Sequence, residues 1–242
     1  MLLIAALMAV AAMIYTSVGH AGASAYLAIM ALFAVPQEVM RPTALVLNVV
    51  VASYATFRYV RAGQFNLRLV APFVIAAIPA AFLAGRIDLP GEIYRPLVGV
   101  ALWAAAIRFL WPRREGDEPA QTHLPPLWLA LLTGAAIGTL SGLTGTGGGI
   151  FLSPLILLFR WEAPRRTSGV AAAFILCVSI SGLVGNLSSV GRLPAELPVF
   201  VVAAALGALV GTYLGIHRFS PGRILQALGV VLVIAGAKLV FT

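Results

Sequence analysis

The chain has 242 residues, 61% of them hydrophobic and 10% charged, against about 45–50% apolar and about 25% charged in soluble domains. A mean hydropathy of +1.00 leaves too little polar surface for a water-soluble globule, and the net charge of +8 comes from arginines scattered between apolar runs, which reads as membrane orientation and excludes a nucleic-acid face. Cys177 is the only cysteine, so an intrachain disulfide and a cysteine-based metal site are excluded too, and it reads as a small apolar packing residue.

A helix needs about 20 apolar residues to span a bilayer. In chain order the apolar runs predict segments at about 2–18, 23–35, 39–60, 67–86 and 92–111. The first resembles the apolar part of a signal peptide, but no basic residue precedes it and Ala21-Gly22-Ala23 is a weak cleavage pattern, so it is read as a membrane helix. Residues 112–126, rich in charge and proline, read as a solvent-exposed linker. Five more segments follow at about 127–143, 149–160, 165–187, 195–216 and 221–241. The second segment of each half is too short to span comfortably. The expected fold is therefore an all-α polytopic membrane protein with two repeats, 1–111 and 127–242, each of about five segments.

The halves correspond in sequence as well as in layout. Val18 to Gly22 falls on Thr144 to Gly148 at a shift of about 126, while Pro36, Ser53 and Gly63 meet Pro164, Ser181 and Gly191 at about 128, and Pro90-Gly91 meets Pro221-Gly222. Basic residues set the orientation. Arg58, Arg61 and Arg68, then Arg108, Arg113 and Arg114, then Arg160, Arg165 and Arg166, then Arg218 and Arg223 flank four loops; placing these inside puts eleven of the sixteen Lys and Arg residues in the cytoplasm. Arg41, Arg86, Arg95, Arg192 and Lys238 then lie outside, as do both termini. Equivalent loops of the two halves face opposite sides under this assignment, which defines an inverted repeat. Parity does not separate a re-entrant hairpin from two crossings at the first two segments of each half.

The stretch Gly142-Leu-Thr144-Gly145-Thr146-Gly147-Gly148-Gly149 carries the most chemistry. Four glycines in five positions are a poor helix interior, because each costs about 1 kcal/mol relative to Ala. The helix should break there, and broken backbone at membrane depth requires burial in protein or a polar cavity. The helix starting near Gly149 then presents free N–H groups and the positive end of its dipole, a natural anion site. Thr144, Thr146 and Ser153 add hydroxyl donors. The competing explanation is close helix packing through small residues. A phosphate loop is excluded by the missing Gly-Lys-Ser/Thr and strand-helix-strand context.

The first half offers a weaker break, Tyr15-Thr-Ser17-Val-Gly19-His20-Ala-Gly22-Ala-Ser24. Inverted symmetry would bring both turns to the midplane, with Gly145 to Gly149 and Gly19, His20 and Gly22 around one substrate and Ser17 and Ser24 beside it. His20, the only histidine expected at membrane depth, could bind the anion, change charge as one crosses, or serve as a hydrogen-bonded core residue. Thr43, Asn48, Ser53 and Thr56 on the third segment cannot all share one stripe, and with Ser179, Ser181 and Asn186 on its partner they read mainly as interhelical contacts. No Asp or Glu lies within a hydrophobic run apart from segment ends, which argues against a cation, a metal or a carboxylate proton relay.

The run Gly142 to Leu155, with its weaker copy at Gly19 to Gly22, resembles the sulfite exporter TauE/SafE family over nearly the whole chain. Ala21 and Ala23 depart from the fuller glycine pattern. The resemblance implies a multi-pass permease of the bacterial inner membrane, exporting sulfite or small organosulfonates. The expected function is secondary transport of such an anion, with an anion channel or a non-transporting partner subunit as alternatives, and an enzyme is not expected. Expected partners are a small anionic substrate and membrane lipid, with no cofactor, no metal and no nucleic acid; a homodimer is left open.

Overall fold

The computed structural model describes residues 2–110, 122–217 and 222–241. Most of the sequence-predicted linker, 112–121, and the flanking Arg113, Arg114 and Arg218 lie outside the described residues. Among the described residues there are ten α-helices and no strand: α1 (Leu2–Thr16), α2 (Ala23–Leu32), α3 (Gln37–Arg61), α4 (Leu67–Gly85), α5 (Gly91–Leu110), α6 (Leu127–Thr144), α7 (Gly149–Leu158), α8 (Pro164–Gly185), α9 (Leu197–His217) and α10 (Gly222–Phe241). A short 3₁₀ turn at Leu187–Arg192, which the apolar pattern does not announce, follows α8.

Five helices, α3, α4, α6, α8 and α9, are long and apolar enough to cross a membrane. The second helix of each half is not. α2 and α7 have 10 residues each, about 15 Å at 1.5 Å per residue, half of a hydrocarbon core of about 30 Å. Both end earlier than their apolar runs for the same reason. Ala34 and Arg160 adopt φ of +54°, and the amides of Val35 and Trp161 turn back to Met30 and Ile156 at 2.9 Å in each case. A left-handed residue with a backward amide bond closes off a helix C-terminus.

Apolar side chains cover the outer faces of the flanking helices. On α9, Val202, Leu206 and Val210 follow a four-residue spacing and are 59%, 58% and 49% exposed. Such a stripe would be an aggregation patch in water and is the expected face toward lipid. Inside, helices approach through glycine. Cβ atoms at Gly134, Gly138 and Gly142 of α6 would collide with the backbone of Phe73, Ala77 and Ala81 on α4, and those at Gly207, Gly211 and Gly215 of α9 with the carbonyls of Ala9 and Met13 on α1 and of Ser17 just after it. Removing the side chain lets backbones pack at close range, where dispersion rather than the hydrophobic effect holds membrane helices together.

The centre belongs to α3 and α8. They run antiparallel: Tyr59 lies beside Gly169 while Asn48 Nδ2 donates to Ser179 Oγ at 3.2 Å. α5 and α10 are antiparallel too, with Gly99 against Gly236 and Trp103 Nε1 donating to the Val233 carbonyl at 3.1 Å. α4 packs on α6 and α8, and α9 packs on α1 and α3.

Near the C-terminus of α3 and the N-terminus of α4, Glu162 is a buried carboxylate, 3% exposed, on the α7–α8 connection. It accepts from Asn66 Nδ2 at 2.5 Å and the Ala163 amide at 3.0 Å, and Asn66 in turn caps α4 by accepting from the Leu69 amide at 3.2 Å. Its partners tie two helix N-termini together, a structural role for a carboxylate at a segment end.

Candidate functional site

Two breaks in the helical path define the candidate site, and each carries left-handed glycines at two corresponding positions. After α1, Gly19 has φ of +77° and Gly22, the N-cap of α2, φ of +103°. After α6, Gly145 has φ of +82° and Gly148, the N-cap of α7, φ of +74°, with Gly147 at +77° between them. These left-handed conformations cost an L-residue about 1–2 kcal/mol each, which explains the glycines. Neither Gly22 nor Gly148 supplies a side-chain cap. The first amides of α2 and α7 therefore have no acceptor within their own helix, and each helix ends in partial positive charge.

The turns meet through His20. Its Nε2 lies 3.1 Å from the Gly149 carbonyl and 3.2 Å from Ser153 Oγ, both in the first turn and a half of α7, while Nδ1 lies 3.1 Å from the Val18 carbonyl. His20 is 7% exposed and Ser153 4%. The imidazole thus bridges residues 129 and 133 positions apart, and the ring of Tyr15 stands edge-on to it at 6.4 Å.

The other hydroxyls singled out in the sequence have local partners. Ser17 Oγ donates to the Ile14 carbonyl at 2.6 Å, and Ser24 Oγ pairs with Tyr15 Oη at 2.7 Å. Thr144 Oγ1 donates to the Leu140 carbonyl at 2.8 Å and lies 2.9 Å from Thr146 Oγ1; the Thr146 amide also points to it at 3.3 Å. These bonds shape the turns. Ser153 and His20 meet at the junction itself.

Two further residues come to the second turn that sequence reasoning had set aside as interhelical contacts or passed over. A Cβ on Gly148 would stand 3.6 Å from Ser141 Cβ, and one on Gly147 would strike the Asn48 amide. Both Ser141 and Asn48 are fully buried, yet Ser141 Oγ and Asn48 Oδ1 have no hydrogen-bond partner. An unsatisfied buried polar atom costs about 1–3 kcal/mol, so a pair flanking a glycine turn marks a place where polar contact is missing. Rotating the Asn48 amide exchanges its oxygen for NH2 and offers a donor. The signal available in sequence was the register of Ser141, seven residues before Gly148 on the far side of the break, which only the turned backbone brings close.

Gly148 also stands against Ile137 Cγ2 and Phe174 Cε1, which an added Cβ would approach to 2.7 and 2.9 Å. Close packing and helix breaking are thus both requirements at this glycine. Among the described residues no three His, Cys, Asp or Glu side chains come together as a metal-binding group.

Broken, uncapped half-helices buried between membrane-length helices define a polytopic membrane protein whose polar atoms converge in the interior, the architecture of a transporter. The family described as "Sulfite exporter TauE/SafE" matches residues 3–239. The chain is 38% identical over 234 residues to the "Probable membrane transporter protein y4hK" of Sinorhizobium fredii (strain NBRC 101917 / NGR234), covering 96% of this chain and 95% of that protein. It is 27% identical over 245 residues to the "Probable membrane transporter protein YjnA" of Bacillus subtilis (strain 168), covering 92% of each. No solved structure matches it. The chain belongs to the sulfite exporter TauE/SafE family, and is a multi-pass membrane transporter rather than an enzyme.

Proposed function

We propose that the chain is a secondary carrier that exports a small oxyanion such as sulfite or an organosulfonate across the bacterial inner membrane. The observation that carries this reading is the junction at His20, where a residue of the first turn is bonded to the start of α7 beside two uncapped helix N-termini. Helix N-termini and hydroxyls stabilise negative charge; Ser153 stands at the junction, and this reading adds Thr146 and the backbone of Gly145 to Gly149 and of Gly19 to Gly22. The scarcity of buried carboxylates supports an anion over a cation.

The inverted-repeat reading, with units 1–111 and 127–242, is supported by the φ values recurring at Gly19 and Gly145 and at Gly22 and Gly148. It is supported also by the antiparallel course of the equivalent pairs α3 and α8, and α5 and α10. An odd number of crossings per half then places both termini outside, in keeping with the basic loops inside. Rocking one half against the other would expose the junction to each side in turn. Outward movement of an anion from a negative interior is favoured by about 2.3 kcal/mol per charge per 100 mV, so export needs no proton.

The test is thermal stabilisation of the purified protein by sulfite, thiosulfate, sulfate, sulfoacetate and acetate, with cationic controls, because a ligand of the folded state raises Tm. Saturable stabilisation by a sulfur oxyanion that Ser153→Ala and Thr146→Val weaken is expected, with matching loss of flux in proteoliposomes. Wild-type flux of every tested anion in both variants would sink the site.

A further inference from the structure

A cleft of about 170 Å³ opens where the N-terminal ends of α3 and α5 meet the C-terminal ends of α4 and α8. These are the ends of α3, α4 and α8 remote from Arg58, Arg61, Arg68, Arg165 and Arg166. Its walls include two basic side chains, Arg41 and Arg192, two acidic ones, Glu38 and Asp88, and Tyr94 and Asn186.

Arg41 is the unusual wall residue. It is 4% exposed, and its guanidinium faces the end of α4: Nη1 donates to the Ile87 carbonyl at 2.9 Å, and Nη2 to the carbonyls of Gly85 and Ala84, the latter at 3.5 Å. Nε is buried with no partner. Carbonyls satisfy donors but do not neutralise the charge, which is offset by the longer-range field of Asp88, and a buried charge without a close partner is costly. That carboxylate is also shared with another group. Asp88 pairs with Arg192 at 3.6 Å, and both side chains are about half exposed, at 57% and 43%.

The floor of the cleft touches the second glycine turn. Tyr94 Oη donates to the Thr144 carbonyl at 3.2 Å, and a Cβ on Gly145 would lie 3.2 Å from the Arg41 carbonyl and 3.3 Å from Arg41 Cγ. Arg41 and Tyr94 therefore separate the cleft from the turn by one layer of side chains. The volume is small beside the roughly 300–1,000 Å³ of drug-sized sites, which suits an ion of a few heavy atoms.

We propose that this cleft is a second anion-binding subsite, the outer vestibule of the carrier. Arg41 supplies its fixed charge, and the Asp88–Arg192 pair opens when an incoming oxyanion takes the place of the Asp88 carboxylate on Arg192. The ligand class is a small oxyanion with no bulky substituent, and the side of the membrane follows from the carrier reading above, on which this rests. An anion leaving the junction at His20 would next meet Arg41. A charge waiting there lowers the barrier to release without binding as tightly as the junction, the condition for passing an ion from site to site.

The measurement is a titration of Tm with sulfite, and separately with sulfate, on wild type, Asp88→Asn, Arg192→Gln and Ser153→Ala. Asp88 and Arg192 are exposed, so their variants should fold. Removing the competing carboxylate should lower the half-saturating concentration several-fold in Asp88→Asn, and removing its partner should raise it several-fold in Arg192→Gln. Arg41→Lys, which keeps the charge, should stay closer to wild type than Arg41→Gln. If Ser153→Ala abolishes stabilisation while the Asp88 and Arg192 variants match wild type, the anion binds at the junction alone and the vestibule is overturned, the carrier standing. Equal shifts in one direction for Asp88→Asn and Arg192→Gln would make the pair purely structural and overturn it too. No stabilisation in any of the proteins would also overturn the vestibule and leave the carrier reading to be judged by flux.

Discussion

The two glycine turns share left-handed glycines at two corresponding positions and differ in their chemistry. In the first, Ser17 and Ser24 are occupied within α1 and α2, and only His20 projects across the junction. In the second, three residues of positive φ in four positions expose amides, while Ser141 and Asn48 bring unsatisfied polar atoms alongside. Under the repeat reading proposed above, the first turn would be the arm and the second the cradle. The glycines differ likewise. Gly19 is confined by backbone, since a Cβ there would overlap the carbonyl and Cα of Ser168, whereas Gly148 is confined by the ends of the Ile137 and Phe174 side chains.

That contrast gives the largest expected effect. Gly19→Ala combines left-handed strain of about 1–2 kcal/mol with a clash against α8 that no side-chain rotation relieves, typically about 1–3 kcal/mol more. It should abolish accumulation of folded protein, measured by size-exclusion profile and Tm in detergent. Gly148→Ala should fold, with Tm lowered by the strain term, because Ile137 and Phe174 can shift. Equal Tm losses for the two would erase the distinction between a backbone and a side-chain boundary.

Next in size is the bridge. His20→Ala removes the contacts to Val18, Gly149 and Ser153; a neutral imidazole donates to one of the two carbonyls, and a buried hydrogen bond contributes about 1 kcal/mol net. A Tm loss comparable with Gly148→Ala is expected. If the imidazolium is the form that meets the anion, wild-type affinity rises as pH falls. His20→Gln, which keeps a donor without titrating, should flatten that profile. A wild-type-like pH profile in His20→Gln would leave the residue as a bridge only.

How far the sequence announced this arrangement depends on the kind of signal. Helix content, the breaks, and the short second segment of each half follow from glycine and proline placement against apolar runs, and the observed helices start and stop within three residues of those runs. Gly207, Gly211 and Gly215 were legible as a four-residue spacing but drew no attention beside the denser run at Gly145 to Gly149. The engagement of Ser17, Ser24 and Thr144 was not legible, because a hydroxyl near a break can satisfy its own helix or a ligand, and only rotamers decide. Arg41 was counted as one outside charge. Its burial against the end of α4 depends on residues 43 to 46 positions away, a tertiary fact with no local trace.

Smallest in stability, and most informative about function, is Ser153→Ala. The hydroxyl meets His20 at 3.2 Å and lies inside α7, so its loss removes one contact and no helix-forming requirement. Its effect on Tm without ligand should stay near 1 kcal/mol or less. If Ser153 also donates to the anion, a charge-assisted bond of about 1.5–3 kcal/mol disappears, which corresponds to roughly a 10- to 100-fold weaker affinity at about 1.4 kcal/mol per decade. Ser24→Ala offers the matched control from the other turn: it breaks the bond to Tyr15 Oη and should lower Tm by a similar amount with anion affinity unchanged. The pair asks whether the arm and the cradle are chemically distinct. Two variants of like stability and unlike affinity would say that they are, while parallel loss of affinity would mean that both turns hold the ligand equally.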